Sequence, residues 1–155
     1  MAMTLSSPVF KDGGQVPVKH TCGGRNISPL LTWTDPPQET QSFALIVDDP
    51  DDPLGLFGHW ILFNIPGHYR GLPEDIPAQG RLADGIIQGK NDFDRIGYGG
   101  PCPPFRHSHH YRFRLFALDS KLNLRPGATK EHVIEAMQGH VLAQADLMGT
   151  YERQL

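Results

Sequence analysis

The sequence has 155 residues, enough for one domain over 1–155 whose single core buries more than half of the unfolded chain's surface. With a net charge of −3 and no basic blocks, it lacks the basic face that nucleic-acid binding requires. Its 17 glycines and 14 prolines indicate a turn-rich β protein. Because it shows no basic-then-apolar leader and no apolar run approaching about 18 residues, we expect a cytoplasmic protein without a transmembrane segment.

Short strands and turns are predicted for the start of the chain. Residues 3–10 are expected to form a strand, followed by a turn at 11–14 and an edge strand at 16–18, where proline is tolerated. A further strand at 30–34 ends at two prolines. Strands between such frequent turns favour a β-sandwich or a barrel.

Two predicted strands in the middle of the chain have polar ends. Residues 43–47 are apolar at both parities, which predicts a buried strand, and Asp49 follows on its inward parity. His59 begins a second apolar strand, 59–65. If these strands form a hairpin, antiparallel pairing places Asp49 and His59 at the same end. The alternative for the acidic residues at 48–52 is a solvated turn.

A long connection at 66–96 is rich in glycine and proline and has little regular pattern. Such a connection is usually functional or folded against the body of the domain. We expect Ile86, Ile87 and Phe93 to hold it in place.

A rigid loop of glycines and prolines at 97–104 leads into the clearest strand of the sequence. From Tyr111 to Ala117 apolar residues alternate with polar ones, and His109 falls on the same inward parity as Tyr111. His109 is therefore a candidate ligand-binding group beside the glycine amides. The alternative is a histidine that is hydrogen-bonded at a strand end.

The C-terminal part changes to a helical period. Thr129 is predicted to cap a helix whose apolar residues Val133, Ile134 and Met137 follow helical spacing, and Gly139 to end it. The spacing of Val141, Ala145, Met148 and Tyr151 predicts a second short helix. Both are expected to pack against the body of the protein.

The two cysteines, Cys22 and Cys102, have neither CxxC spacing nor enough companions for a zinc site. Both lie in loops that flank candidate site regions, so we expect them to be neighbours, either as a disulfide or as a close thiol pair. A cytoplasmic location favours the reduced form.

Several motifs occur together in a specific order: HTCGGRNISP, DPDDP after a buried strand, GHWILFNIP, GYGGPCPP, and HHY before a long strand. In this the chain closely resembles the phosphatidylethanolamine-binding protein (PEBP) family, in its bacterial YbhB/YbcL branch, also called Raf kinase inhibitor-like. The resemblance covers nearly the whole chain. It implies a mainly β fold, an antiparallel Greek-key β-sandwich with a few helices.

The resemblance also implies an anion pocket for phosphate, acetate or a phosphoethanolamine head group. The residues that match the family's pocket motifs are Asp49, Asp51, His59, Gly99, Gly100, Pro101, Pro103, Pro104, His109 and Tyr111. The chain departs from the family pattern at His110, where arginine is usual, and at the loop residues Arg106 and His107. These departures bear on the mouth of the pocket.

Three classes of function follow. In a binding protein, the amides of Gly99 and Gly100 would form a donor nest, His59 and His109 would add charge-assisted donors, and Asp49 would orient an imidazole. The alternative is a metal-dependent or Asp/His-dependent hydrolase, but the sequence shows no nucleophile or zinc motif, so we expect no catalytic residue, cofactor or metal. The third class, implied by the resemblance, is a regulator or inhibitor of a kinase or protease; a homodimer stays open.

Overall fold

The computed structural model describes residues 2–154 and is mainly β. Nine strands and one α-helix make up its regular structure, with 3-10 turns at Val18–His20 and Ala83–Gly85. The elements are β1 (Thr4–Ser6), β2 (Gly14–Gln15), β3 (Leu31–Thr34), β4 (Ser42–Asp49), β5 (Phe57–Pro66), β6 (Gly71–Leu72), β7 (Ile87–Gln88), β8 (Ser108–Leu118), α1 (Lys130–Met137) and β9 (Val141–Glu152).

The strands form a smaller sheet in the order β1-β3-β6 and a larger one in the order β2-β9-β8-β4-β5-β7. Only the β2–β9 pair is parallel among the described strands. The predicted hairpin is confirmed, because β4 and β5 pair antiparallel with Asp49 opposite Phe57. Strand β8 is antiparallel to β4 on its other side. The end of β4 and the starts of β5 and β8 therefore meet at one end of the larger sheet.

The larger sheet is buried on both faces. One face packs against the smaller sheet in a cluster that includes Trp33, Phe43 and Trp60. The other face packs against the helix, with Ile46 and Val133 in a second cluster. This explains why every residue of β4 is buried, as its apolar residues at both parities predict.

The first C-terminal helix is confirmed and the second is wrong. Thr129 caps α1, where its hydroxyl accepts from the His132 amide at 3.2 Å. The residues predicted as a second helix form β9 instead, which pairs with β8 along the whole of that strand. Here Ala145, Leu147, Gly149 and Tyr151 are buried with a period of two. The extended pairing with β8 overrides the helix propensity of this alanine- and leucine-rich segment.

The predicted strands near the start are shorter than expected. The strand at 3–10 is reduced to β1, and the edge strand at 16–18 is wrong, since β2 lies at Gly14–Gln15 and a 3-10 turn begins at Val18. Pro17 has a φ of −59° and no N–H, which suits the start of a helical turn better than a strand ladder. Within residues 2–154, no helix has the length and apolar character needed to cross a membrane.

Candidate functional site

A cavity of about 180 Å³ opens at the end of the larger sheet where β4 ends and β5 and β8 begin. It combines buried titratable groups with aromatic and proline walls. The residues that line it are Asp49, Asp52, Pro53, Phe57, His59, Phe93, Cys102, Pro103, Pro104, His109 and Tyr111. The structure thus brings together four of the predicted polar side chains, Asp49, His59, His109 and Tyr111. Asp49 and His109 lie 60 positions apart in the sequence.

Asp49 and His109 form a buried pair on one wall of this cavity. Nδ1 of His109 donates to Oδ2 of Asp49 at 2.5 Å. The other carboxylate oxygen accepts from the Asp51 amide at 2.7 Å, which fixes the orientation of the carboxylate. Because Asp49 holds the proton on Nδ1, the neutral ring has a lone pair at Nε2. No residue of the described range bonds to that nitrogen.

His59 is held in the same way by a backbone group. Its Nδ1 donates to the Gly99 carbonyl at 2.7 Å, and its ring packs edge-on against Tyr111 and Phe93. Burial lowers the pKa of His59 below its ordinary value, although the Gly99 carbonyl and the charge of Asp49 act in the opposite direction. His59 is therefore neutral at pH 7, with Nε2 as an acceptor that has no partner among the described residues.

Tyr111 supplies the third polar group of the cavity. The residue is 1% exposed, and its hydroxyl has no hydrogen-bond partner in residues 2–154. Burial, together with the charge of Asp49, raises the pKa of Tyr111. The phenol therefore stays protonated and can donate to a ligand at any physiological pH. An unpaired buried hydroxyl costs about 1–3 kcal/mol, so a ligand that accepts from it relieves this cost.

The predicted donor nest at Gly99 and Gly100 is wrong, because both amides are already bonded within the protein. The Gly99 amide donates to the His59 carbonyl at 2.9 Å, and the Gly100 amide donates to the Asn26 side-chain oxygen at 2.8 Å. A Cβ at Gly100 would lie 2.2 Å from the His20 carbonyl oxygen, so the glycine is needed for close packing of two loops. These glycines position His59 but leave no amide for an anion.

Of the other predicted residues, two line the cavity and two lie outside its lining. Pro103 and Pro104 line the cavity, whereas Pro101 lies behind it and its carbonyl accepts from the Cys22 amide at 3.1 Å. Asp51 does not line the cavity, and it accepts instead from the backbone and the imidazole of His110, each at 2.7 Å. Burial raises the pKa of Asp51, but the hydrogen bonds from His110 outweigh it and bring the value below the ordinary one.

Five residues of the cavity lining were not predicted from the sequence as site residues. They are Asp52, Pro53, Phe57, Phe93 and Cys102. Phe57 lies two residues before His59 on the same strand, so the alternation of side chains predicts that both face the same side. This pattern would have identified Phe57 as a site residue from the sequence. Phe93 was expected to anchor the long connection, as Ile86 and Ile87 do, but it is 38% exposed and packs on Phe57 with ring centroids 4.8 Å apart.

The predicted proximity of the cysteines is confirmed, and they form a disulfide between Cys22 and Cys102. The bond ties the loop after the first 3-10 turn to the loop that carries Pro103 and Pro104. Cys102 itself lines the cavity. Of the two predicted alternatives, the structure has the disulfide, since the two loops bring the Cα atoms to 5.3 Å, within the range that a disulfide spans.

The cavity does not have the arrangement of a metal centre. Across residues 2–154, no three or more His, Cys, Asp or Glu side chains are grouped so that they could hold a metal ion. Nδ1 of His109 donates to Asp49 and Nδ1 of His59 donates to the Gly99 carbonyl, which leaves the Nε2 atom of each ring for a ligand. The site is suited to hydrogen bonding with a ligand that fits between two Nε2 atoms and a phenol.

Comparison with known proteins identifies the family. The sequence model described as "Phosphatidylethanolamine-binding protein" matches residues 6–152. A UPF0098 protein of Methanothermobacter thermautotrophicus is 53% identical over 151 residues, which cover 97% of this chain and 99% of the relative. A UPF0098 protein of Aquifex aeolicus is 48% identical, with 97% and 89% covered.

Two solved structures have the same fold. A putative PEBP homologue from Chlamydia trachomatis superposes with a TM-score of 0.90 at 42% identity, covering 99% of each chain. Escherichia coli YbcL, described as a new member of the mammalian PEBP family, also gives a TM-score of 0.90, at 35% identity, with 99% of this chain and 100% of YbcL covered. The chain belongs to the phosphatidylethanolamine-binding protein family, as a YbhB/YbcL-like member.

Proposed function

We propose that this protein binds a small anion, a carboxylate or a phosphate such as that of a phosphoethanolamine head group, in the cavity at the end of the larger sheet. One observation carries the proposal: His59, His109 and Tyr111 line one cavity, both imidazoles use Nδ1 for bonds within the protein, and the Tyr111 hydroxyl has no partner among the described residues. These three groups provide hydrogen bonds of adjustable direction to a ligand's oxygens. The Gly99 and Gly100 amides take no part.

The size of the cavity supports a head group rather than a larger molecule. Its volume of about 180 Å³ is below the roughly 300–1,000 Å³ of sites for drug-sized ligands. Phe57 and Phe93 are the more exposed part of the lining, whereas His59, His109 and Tyr111 are buried. A ligand would therefore place its acidic group inside and the rest of the molecule at the mouth.

Protonation decides how the anion is held. With Nδ1 of His109 donating to Asp49, the ring becomes a second donor only when Nε2 takes up a proton. A carboxylate then accepts from the imidazolium and from Tyr111, and each charge-assisted bond contributes about 1.5–3 kcal/mol. A monohydrogen phosphate brings its own proton and can donate it to the neutral Nε2 of His59. Carboxylate binding is thus coupled to proton uptake, whereas phosphate can bind without it.

Acetate tests this proposal because its charge is constant above pH 6. At a hundredfold excess over Kd it should stabilise the protein by about 2.7 kcal/mol. For a domain of this size the melting temperature should rise by roughly 5–10 °C. The rise should be larger at pH 6 than at pH 8, because binding that takes up a proton is favoured at lower pH. Titration calorimetry in buffers of different ionisation enthalpy should show uptake of protons on binding.

The comparison that isolates the site is His109→Ala against His107→Ala. His107 is exposed and does not line the cavity. The first variant should lose the acetate-induced rise in melting temperature and the proton uptake, and the second should keep both. Equal rises in the two variants would show that acetate acts elsewhere, and the cavity would not be the binding site.

A further inference from the structure

A second cavity of about 180 Å³ lies directly beside the first. The two share a wall, because Phe93 and Cys102 line both of them. The second cavity is closed on the far side by Asn26, Arg95 and Tyr98. The disulfide of Cys102 with Cys22, which also lines the second cavity, fixes the shared wall. A ligand that extends past Phe93 would occupy both cavities.

The second cavity offers donors and no acidic side chain. Arg95 has no Asp or Glu oxygen within 4.0 Å among the described residues. The side-chain oxygen of Asn26 accepts from the Gly100 amide, and the exposed NH₂ group has no hydrogen-bond partner in residues 2–154. The lining contains no Asp or Glu, unlike the first cavity, which contains Asp49 and Asp52. This donor set matches an anionic oxygen group, which arginine can bind in bidentate geometry.

The wall between the cavities is apolar. The Phe93 ring is 38% exposed and is held edge-on by Phe57 and His59, with centroid distances of 4.8 and 5.3 Å. Its amide also donates to the Asn91 side chain at 2.9 Å, which anchors the loop. The surface between the two polar chambers is therefore aromatic and rigidly supported. It favours a hydrocarbon segment over a charged one at this point of the ligand.

From these observations we infer that the ligand is an anion with two acidic groups joined by a short apolar linker. One group binds His59, His109 and Tyr111, and the other binds Arg95 and the Asn26 amide. The inference rests on the proposed function for the first group and adds the second. Linking two groups makes the second contact intramolecular, so a linker of matching length increases the affinity beyond that of either group alone.

A series of straight-chain dicarboxylates from malonate to pimelate tests this inference, with acetate as the single-headed reference. Calorimetry should find one chain length that binds at least tenfold more tightly than acetate. Arg95→Gln should bring that dicarboxylate back to the affinity of acetate and leave acetate binding unchanged. Arg25→Gln is the matched control, because Arg25 is an exposed arginine next to Asn26 that does not line the cavity. It should change neither affinity.

Two outcomes would overturn the inference. If every dicarboxylate binds like acetate, the second cavity contributes no binding. If Arg95→Gln and Arg25→Gln weaken the dicarboxylate equally, the gain is a general charge effect. Absence of acetate binding, together with a tight dicarboxylate that depends on Arg95, would support the second cavity and reject the first as an independent anion site. The failure of the proposed function is therefore distinguishable from the failure of this inference.

Discussion

Two neighbouring aspartates at the end of β4, Asp48 and Asp49, are buried on opposite faces of the same sheet. Asp48 accepts three bonds from two arginines, Arg112 Nε at 2.9 Å, Arg112 Nη2 at 3.2 Å and Arg114 Nη2 at 2.7 Å. Asp49 accepts from a histidine and a backbone amide. The residue type and the strand are the same, and the partners differ.

The partners decide what each aspartate does. Arginine can only donate and keeps its charge at every accessible pH, so the two arginines hold Asp48 in an ion-pair cluster that contributes to stability. Histidine has a second ring nitrogen, so the Asp49 pair has a group left for a ligand. A buried carboxylate alone therefore does not mark a site. A buried carboxylate bonded to a titratable partner at a cavity does.

The largest expected effect is on the free energy of unfolding and comes from substitution of Asp48. Asp48→Ala should lower the free energy of unfolding by about 3 kcal/mol, because two arginine charges lose their buried partner. The estimate takes the lower end of the usual range, since the Arg112 side chain is 31% exposed and water screens it in part. Urea denaturation followed by circular dichroism measures the change.

The double variant Asp48→Ala/Arg114→Met is the control for this explanation. Removing the better buried arginine with its partner should cost less than the sum of the two single substitutions. Additive effects, or a loss below about 1 kcal/mol for Asp48→Ala alone, would contradict the assignment of the cluster to stability.

The second largest expected effect is a pH dependence of the free energy of unfolding, which arises from His59 in the cavity. In the unfolded chain His59 has its ordinary pKa of 6.5, and burial lowers it in the folded protein. Below pH 6.5 the unfolded state therefore binds more protons, and stability falls as the pH is lowered through this window. The contribution approaches at most about 1.4 kcal/mol per pH unit. Above pH 6.5 the contribution of neutral His59 to stability is fully present.

Urea denaturation of the ligand-free protein between pH 5 and pH 7.5 measures this slope, with His59→Gln as the reference. Asp51 does not interfere, because its ordinary pKa of 3.8 is already lowered in the folded protein and its effect is confined to more acidic conditions. The wild-type slope should exceed that of the variant. Parallel curves would show that His59 is not the group that responds.

The sequence contains enough information for most of the site but not for its hydrogen bonding. Strand parity placed Asp49, His59, His109 and Tyr111 inward at strand ends, and two of those strands pair as the hairpin argument requires. The use of the Gly99 and Gly100 amides could not be predicted, because their acceptors, the His59 carbonyl and the Asn26 side chain, are up to 74 positions away. Such partners are set by the packing of loops, which has no period.

The fold shows the same limit. The core strands β4, β5 and β8 have unambiguous patterns, whereas β9 combines helix-favouring residues with a buried face of period two. Neighbouring side chains approach β9 closely at Gly149, where a Cβ would lie 2.5 Å from the Val16 side chain. The pairing of residues 141–152 with β2 and β8 determines that they form a strand. Local periodicity alone predicts a helix there.

The smallest expected effect concerns a second Asp–His pair, which repeats the chemistry of the cavity at the surface. Nδ1 of His110 lies 2.7 Å from Asp51, but the two side chains are 54% and 40% exposed. Solvent screens such a pair, so His110→Ala should lower the free energy of unfolding by less than about 1 kcal/mol. The variant should also keep the full acetate-induced rise in melting temperature, since neither residue lines the cavity. Thermal unfolding with and without acetate, beside His109→Ala, makes the comparison. A loss of the acetate effect in His110→Ala equal to that in His109→Ala would mean that the mouth of the cavity, and not the buried pair, selects the anion.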